Sequence, residues 1–255
     1  GALGFGAVIN NGNLTFNRSD AFTVSNAISG SGTLTHAGTG TMTMSGVNSY
    51  TGATVINAGV LKITSLTNGG SNSNIGASSN AASNLVLNGS ALQYTGNAAS
   101  TDRLFSVGTS GGTLDASGTD AVNFTNTGSM HLQGASILDL NACTLQASCD
   151  YWQGIIADDP QQKVILQNDS YIKKAGIGLH ASNGAVVDVT DSHFEDNFQY
   201  GIYINNTTAP YAGIINHNTF TMQANLPANP FPPIKAGIHL YDVAQLNIGD
   251  IGNAN

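Results

Sequence analysis

The sequence predicts an all-β chain, a right-handed single-stranded parallel β-helix (solenoid), and three observations predict it. Runs of three to five residues alternate apolar with polar and close on Gly, Asn or Thr, from Gly12 to about Gly249. Alternation at period two buries one face of each strand, and the glycines permit tight corners. The chain also holds a single Glu (Glu195), five Lys and two Arg (Arg18, Arg103) against 31 Gly, so it lacks the residues with which helices face water. In the C-terminal part, similar segments return every 22 to 26 residues, a period that fits one coil of three short strands.

Residues 1–140 supply strands at intervals of about eight to twelve residues. In order these are 13–16, 33–35, 41–44, 53–56, 60–63, 84–87, 91–94, 103–107, 113–115, 122–125 and 130–132. Such spacing also describes sandwiches and barrels. Consecutive strands here meet at single glycines more often than at the Asn-Gly or Asp-Gly pairs of hairpins, which favours stacking over meandering.

Residues 141–255 keep the strands and change their idiom. An aromatic or β-branched anchor follows a polar corner at Asn168-Asp169-Ser170-Tyr171-Ile172, Thr190-Asp191-Ser192-His193-Phe194 and Asn216-His217-Asn218-Thr219-Phe220. A Gly-Ile series recurs at Gly154-Ile155, Gly176-Ile177, Gly201-Ile202 and Gly237-Ile238, its last interval lengthened by the proline-rich stretch 226–233, read as a corner loop. The expected inward residues are Leu34, Met42, Met44, Leu61, Ile63, Leu85, Leu87, Leu114, Phe124, Ile165 and Ile202. Both ends stop in mid-rhythm without a polar cap, which predicts a segment of a larger protein or ends covered by neighbours.

Only 9% of residues are charged and the formal net charge is −8. Phosphate binding requires clustered Lys and Arg, so a nucleic-acid partner is excluded, and attraction to an anionic membrane is disfavoured. No run of about 18 apolar residues exists to insert this segment in a membrane as a helix. Cys143 and Cys149 flank a short polar stretch. That spacing suits a small disulfide loop in an exported protein, and two reduced, half-buried thiols are the alternative.

Residues 30–64, GSGTLTHAGTGTMTMSGVNSYTGATVINAGVLKIT, resemble the autotransporter-associated, or passenger-associated, β-strand repeat. Residues 84–127 resemble the stretch that commonly follows that repeat in large bacterial surface proteins. From Cys143 onward, CDYWQGI, DSHFEDN and GIYI are similar to right-handed β-helix repeats of secreted Bacteroidetes-type surface proteins. These resemblances imply an exported or cell-surface β-helix and bring no catalytic residues with them.

The densest titratable group is Asp188, Asp191, His193, Glu195 and Asp196. Paired carboxylates can hydrolyse glycosidic bonds, and parallel β-helices include pectin-cleaving enzymes. Asp191 and Asp196 also sit at repeat corners equivalent to Asp169 and Asn218, where Asp and Asn serve local backbone hydrogen bonds. Asp158-Asp159 resembles the adjacent aspartates of polygalacturonase-like hydrolases. The companion Gly-His-Gly and Arg-Ile-Lys elements are absent, since Gly178-Leu179-His180 and Gly237-Ile238-His239 differ and no Arg follows Arg103; a turn is the expectation there. Thr-x-Thr runs do not persist through the later strands as an ice-binding array requires. The six histidines are dispersed, with His180 and His239 at similar angular positions, and no metal is expected. Trp152 and the tyrosines Tyr200, Tyr203, Tyr211 and Tyr241 form either an exposed strip for sugars or stacks between coils.

The sequence thus predicts a non-enzymatic extracellular or cell-surface protein, an adhesin stalk or structural fibre component, with no cofactor. Its expected partners are other copies of itself, flanking parts of a longer chain and surface glycans. The competing expectation is a carbohydrate-binding or polysaccharide-cleaving β-helix with a site at Asp188, Asp191, Glu195 and Tyr203.

Overall fold

The computed structural model describes residues 3–117, 122–125, 129–132, 134–146, 152–207, 213–221, 236–243 and 247–248. Cys149, Tyr211 and the proline-rich stretch 226–233 lie outside them. The chain forms two compact units, Gly1–Phe124 and Thr125–Asn255. Each is a stack of parallel strands, as the solenoid reading requires, and the helical content among the described residues is one 3-10 turn at Ala82–Asn84.

In the first unit, one ladder stacks Asn13–Phe16, Thr33–His36, Thr54–Ile56, Leu85–Leu87 and Ser106–Val107. A second stacks Phe22–Val24, Thr41–Met44, Val60–Ile63, Ser90–Tyr94 and Gly112–Asp115. Register turns the period-two pattern into columns: Phe22, Met42, Leu61, Leu92 and Leu114 stand one above another, as do Val24, Met44, Ile63 and Tyr94. Met42, Met44, Leu61 and Ile63 are completely buried, each contributing about 1.5–3 kcal/mol. Outward faces carry Thr23, Thr43, Lys62, Gln93 and Asp115 in one line, which is why the threonine runs do not continue as an array.

Among the described residues the second unit has three ladders. The first stacks Ile137–Asn141, Lys163–Gln167, Val186–Thr190, Ile214–Asn216 and Asn247–Ile248. The second stacks Cys143–Gln146, Tyr171–Lys173, His193–Glu195 and Thr219–Thr221. The third stacks Ser129–His131, Gly154–Ala157, Ile177–Ser182, Tyr200–Thr207 and Ala236–Val243. The expected anchor series is realised, with Ile172, Phe194 and Phe220 in one column and the two phenyl rings stacked at 5.1 Å.

Three expectations are corrected. Ile165 faces outward, opposite Asp139 and Asp188, while Val164 and Leu166 take the core; three successive apolar residues hide the alternation that decides between them. The glycine of the second Gly-Ile copy is Gly178 rather than Gly176, because Ile155, Leu179, Ile202 and Ile238 share a column. Gly176-Ile177 has the same parity in sequence, and packing decides. A Cβ on Gly178 would stand 2.5 Å from the Gly201 carbonyl oxygen and 2.9 Å from the Phe194 ring, so the phenylalanine column needs a glycine column beside it. Finally, pairing over 103–107 is confined to Ser106–Val107, since Arg103 is drawn into the interior described below.

The glycine column makes a direct comparison. Gly178→Ala is expected to lower stability by about 2 kcal/mol, in the range of overpacked cores. Gly176→Ala, whose added carbon would meet nothing nearer than 3.7 Å, should change it by less than about 1 kcal/mol. Midpoints of chemical unfolding measure both.

Candidate functional site

The residues that suggested carbohydrate chemistry are distributed around the coil. Asp188 faces outward on the first ladder of the second unit, Glu195 on the second and Tyr203 on the third. Asp191 is the corner between the first two. Each carboxylate is met by a side chain from an adjacent coil: Asp188 by Lys163 Nζ at 2.5 Å, Glu195 by Lys173 Nζ at 2.7 Å and Asp191 by His217 Nδ1 at 3.6 Å. His193 reaches Asp169 at 3.1 Å and stacks on Tyr171 at 4.3 Å, and the Lys173 ammonium lies 4.3 Å from the Tyr171 ring centre. This is a laced outer surface of partly exposed pairs, each worth about 0–1 kcal/mol. Glycoside hydrolysis instead needs two carboxyls across one scissile bond; Asp188 and Glu195 stand on separate ladders, with Asp191 at the corner between them.

Corners explain why acidic and amide residues recur there. Ala142, Asp169, Asp191 and His217 occupy equivalent positions and all have positive φ, between 47° and 59°. Asn168, Lys174, Asn183 and Asp196 share that conformation, which Asn and Asp tolerate better than most residues. The equivalent of Asp191 in the next coil is therefore His217, one residue before Asn218. Asn218 turns inward: its Oδ1 accepts from the Ser192 N–H at 2.9 Å and its Nδ2 donates to the Val189 carbonyl at 2.7 Å. Asn197 does the same at the following corner, accepting from the Ala175 N–H and donating to the Ile172 carbonyl. Asp158 and Asp159 form the expected turn, with Asp159 Oδ1 accepting from the Gln161 N–H and the Asp158 N–H donating to Gln162 Oε1. Cys143 is buried, its Sγ 3.3 Å from the Asn141 carbonyl oxygen.

The third ladder carries an aromatic column. His180, Tyr203 and His239 are in register; Tyr203 stacks on His239 at 5.1 Å and meets the edge of His180 at 5.0 Å. Tyr200 packs against Tyr203 and His239, and His180 Nε2 lies 3.2 Å from Asn205 Oδ1. Of the residues expected either to stack between coils or to form an exposed strip, Tyr200 and Tyr203 stack, with His180 and His239 on either side of Tyr203, Trp152 is buried and donates to the Lys173 carbonyl, and Tyr241 is exposed. Among the described residues, no three His, Cys, Asp or Glu side chains converge on a metal-sized site.

The first unit holds a feature that sequence reasoning missed. Between Val60–Ile63 and Leu85–Leu87 the chain leaves the ladder for about twenty residues and returns. Arg103, 3% exposed, fastens this insert. Its Nε donates to the Thr67 carbonyl, Nη1 to the carbonyl and hydroxyl of Ser78, and Nη2 to the carbonyls of Ser71 and Gly76, at 2.9–3.2 Å. All five N–H groups are thereby used. Burial pushes the guanidinium below its ordinary pKa, partly offset by Tyr50 and Asp102. Asn74 fixes the insert's other side, accepting from the Thr64 and Ser65 N–H groups and donating to the Gly46 carbonyl. Between the insert and residues 94–100 lies an open groove of about 570 Å³. The available signals were one of only two arginines, set in a Thr/Asn-rich stretch, and a twenty-residue gap in the strand rhythm.

Residues 34–63 match the family described as passenger-associated-transport-repeat. Structurally they are paired strands of two successive coils, ending where the insert begins. The chain is 41% identical over 140 residues, 53% of its length, to the adhesin BmaC autotransporter of Brucella suis biovar 1 (strain 1330). It covers 4% of that protein, so it spans a small fraction of this relative. No solved structure matches the chain.

The two roles of polar residues separate experimentally. Asn218→Ala removes two buried hydrogen bonds and leaves the Ser192 N–H and Val189 carbonyl without this partner, and is expected to cost about 2 kcal/mol. Glu195→Gln breaks a half-exposed pair and should change stability by less than about 1 kcal/mol. Thermal unfolding followed by circular dichroism in the far ultraviolet reads both.

Proposed function

We propose that this chain is a length of the passenger of an autotransporter-type adhesin, a non-enzymatic segment displayed at the bacterial surface or outside the cell. The observation that carries this reading is the 41% identity over 140 residues to an adhesin autotransporter. The passenger repeat at 34–63 supports it, and so does the stacked-coil architecture, which gives a rigid, laterally regular body from repeated sequence. The dispersal of Asp188, Asp191 and Glu195, each beside a basic or imidazole partner, favours a structural role for these residues over hydrolysis. Resemblance to Bacteroidetes-type repeats from Cys143 onward extends the surface reading to the second unit. Other copies of the chain, flanking passenger and host-surface glycans are its partners in this proposal.

Surface display of the chain through a heterologous outer-membrane barrel tests it. Displaying cells are expected to adhere to epithelial monolayers several-fold above cells displaying an unrelated β-helix. The purified chain should release no reducing sugar from a panel of polysaccharides. Background adhesion, or sugar release abolished by Asp191→Asn and Glu195→Gln, would overturn the reading.

A further inference from the structure

We infer that the groove between the insert and residues 94–100 is a binding site for an uncharged oligosaccharide; this rests on the adhesin reading and gives it a location and a ligand class. The groove is open and has a volume of about 570 Å³, so a ligand would lie along it with one face to solvent. Thr64, Thr67, Asn68, Ser71, Asn97 and Ser100 supply most of its wall, and no charged side chain lines it. Hydroxyls and amides are the complement of a polyol, since each can give and take hydrogen bonds with ring hydroxyls. An apolar ligand would strip water from these groups without replacing the bonds, at about 1–3 kcal/mol for each group left unpaired. An anionic ligand would meet no available cation, because the five N–H groups of Arg103 are already bonded to the protein and the chain carries a net charge of −8.

The walls are held in place before any ligand arrives. Arg103 grips the Thr67 and Ser71 carbonyls from behind the insert. Asp102 accepts from the Gly69 N–H at 2.8 Å, and its own N–H donates to Asn68 Oδ1 at 3.1 Å. On the opposite side the buried Tyr94 hydroxyl donates to the Asn97 carbonyl at 2.6 Å. These bonds engage backbone carbonyls, N–H groups and one face of Asn68. They do not engage the Asn68 Nδ2, the Asn97 side-chain amide or the Ser100 hydroxyl, all on exposed residues that line the groove. A rigid wall with unspent donors and acceptors lowers the ordering cost of binding. The groove also adjoins the end of the passenger repeat, at the one step of the first unit's ladders where the coil is lengthened, from Leu61 to Leu92.

The test uses the whole chain and a panel of neutral trisaccharides of glucose, galactose, mannose and N-acetylglucosamine, with 3′-sialyllactose as anionic control. Saturation-transfer NMR and calorimetry are read on the wild type, Asn97→Leu and Ser100→Trp, the last filling the groove from its exposed rim. At least one neutral trisaccharide is expected to bind, with affinity falling at least about tenfold in both variants while their unfolding midpoints stay within error of wild type. Failure of every neutral sugar, binding indifferent to Ser100→Trp, or preference for 3′-sialyllactose would overturn the groove assignment. Epithelial adhesion is measured in parallel: adhesion without sugar binding overturns the groove alone, and sugar binding without adhesion overturns the adhesin reading alone.

Discussion

The inner face of each coil is covered only by its neighbours above and below, and in-register parallel pairing makes that cover continuous. Leu61 is buried because Met42 and Leu92 stand on either side of it in the column. An isolated coil would leave its columns bare, so stability is a property of adjacent coils rather than of single strands. The other features described here answer to that constraint. Corners must return the chain to the same azimuth, glycines must appear where an aromatic column crowds the backbone, and any departure from the ladder must come back in register.

The two units solve the corner problem with different chemistry. In the first, positive φ falls on glycines such as Gly30, Gly59, Gly89 and Gly111, which adopt it without steric penalty. In the second it falls largely on Asp, Asn, Lys, His and Ala, and a buried amide such as Asn197 or Asn218 satisfies the backbone groups the turn exposes. The first solution loses more chain entropy on folding; the second adds specific hydrogen bonds that offset the strain of a left-handed non-glycine residue. The change of idiom near residue 140 reflects this substitution of amide for glycine.

Much of the architecture was legible in the chain. The alternation of Thr41-Met42-Thr43-Met44 has one reading, and the structure follows it. The recurrence of Ile172, Phe194 and Phe220 gave the register of three coils directly. Legibility failed where neighbours carry the same character. Val164, Ile165 and Leu166 are all apolar, and Gly176 and Gly178 both precede an apolar residue, so only packing distinguishes them. The carboxylate cluster looked dense because sequence compresses a coil into a line, whereas the coil places Asp188, Glu195 and Tyr203 on three ladders. Arg103 was hard to read for a different reason: apart from the Ser78 hydroxyl, its partners are main-chain carbonyls contributed by Thr67, Ser71, Gly76 and Ser78, and a carbonyl leaves no trace in residue identity.

The glycine column beside Phe194 and Phe220 bears on how such a chain can change its length. A residue inserted within a strand would shift glycine, phenylalanine and inward aliphatic positions together, in every ladder downstream. Growth and loss are therefore confined to two routes, whole coils of about 4.8 Å rise or excursions at corners that rejoin the ladder where they left it. The insert fastened by Arg103 is the second route already taken. Variation in a solenoid built this way should accordingly come in quanta of one coil, with novelty concentrated in the loops that corners release.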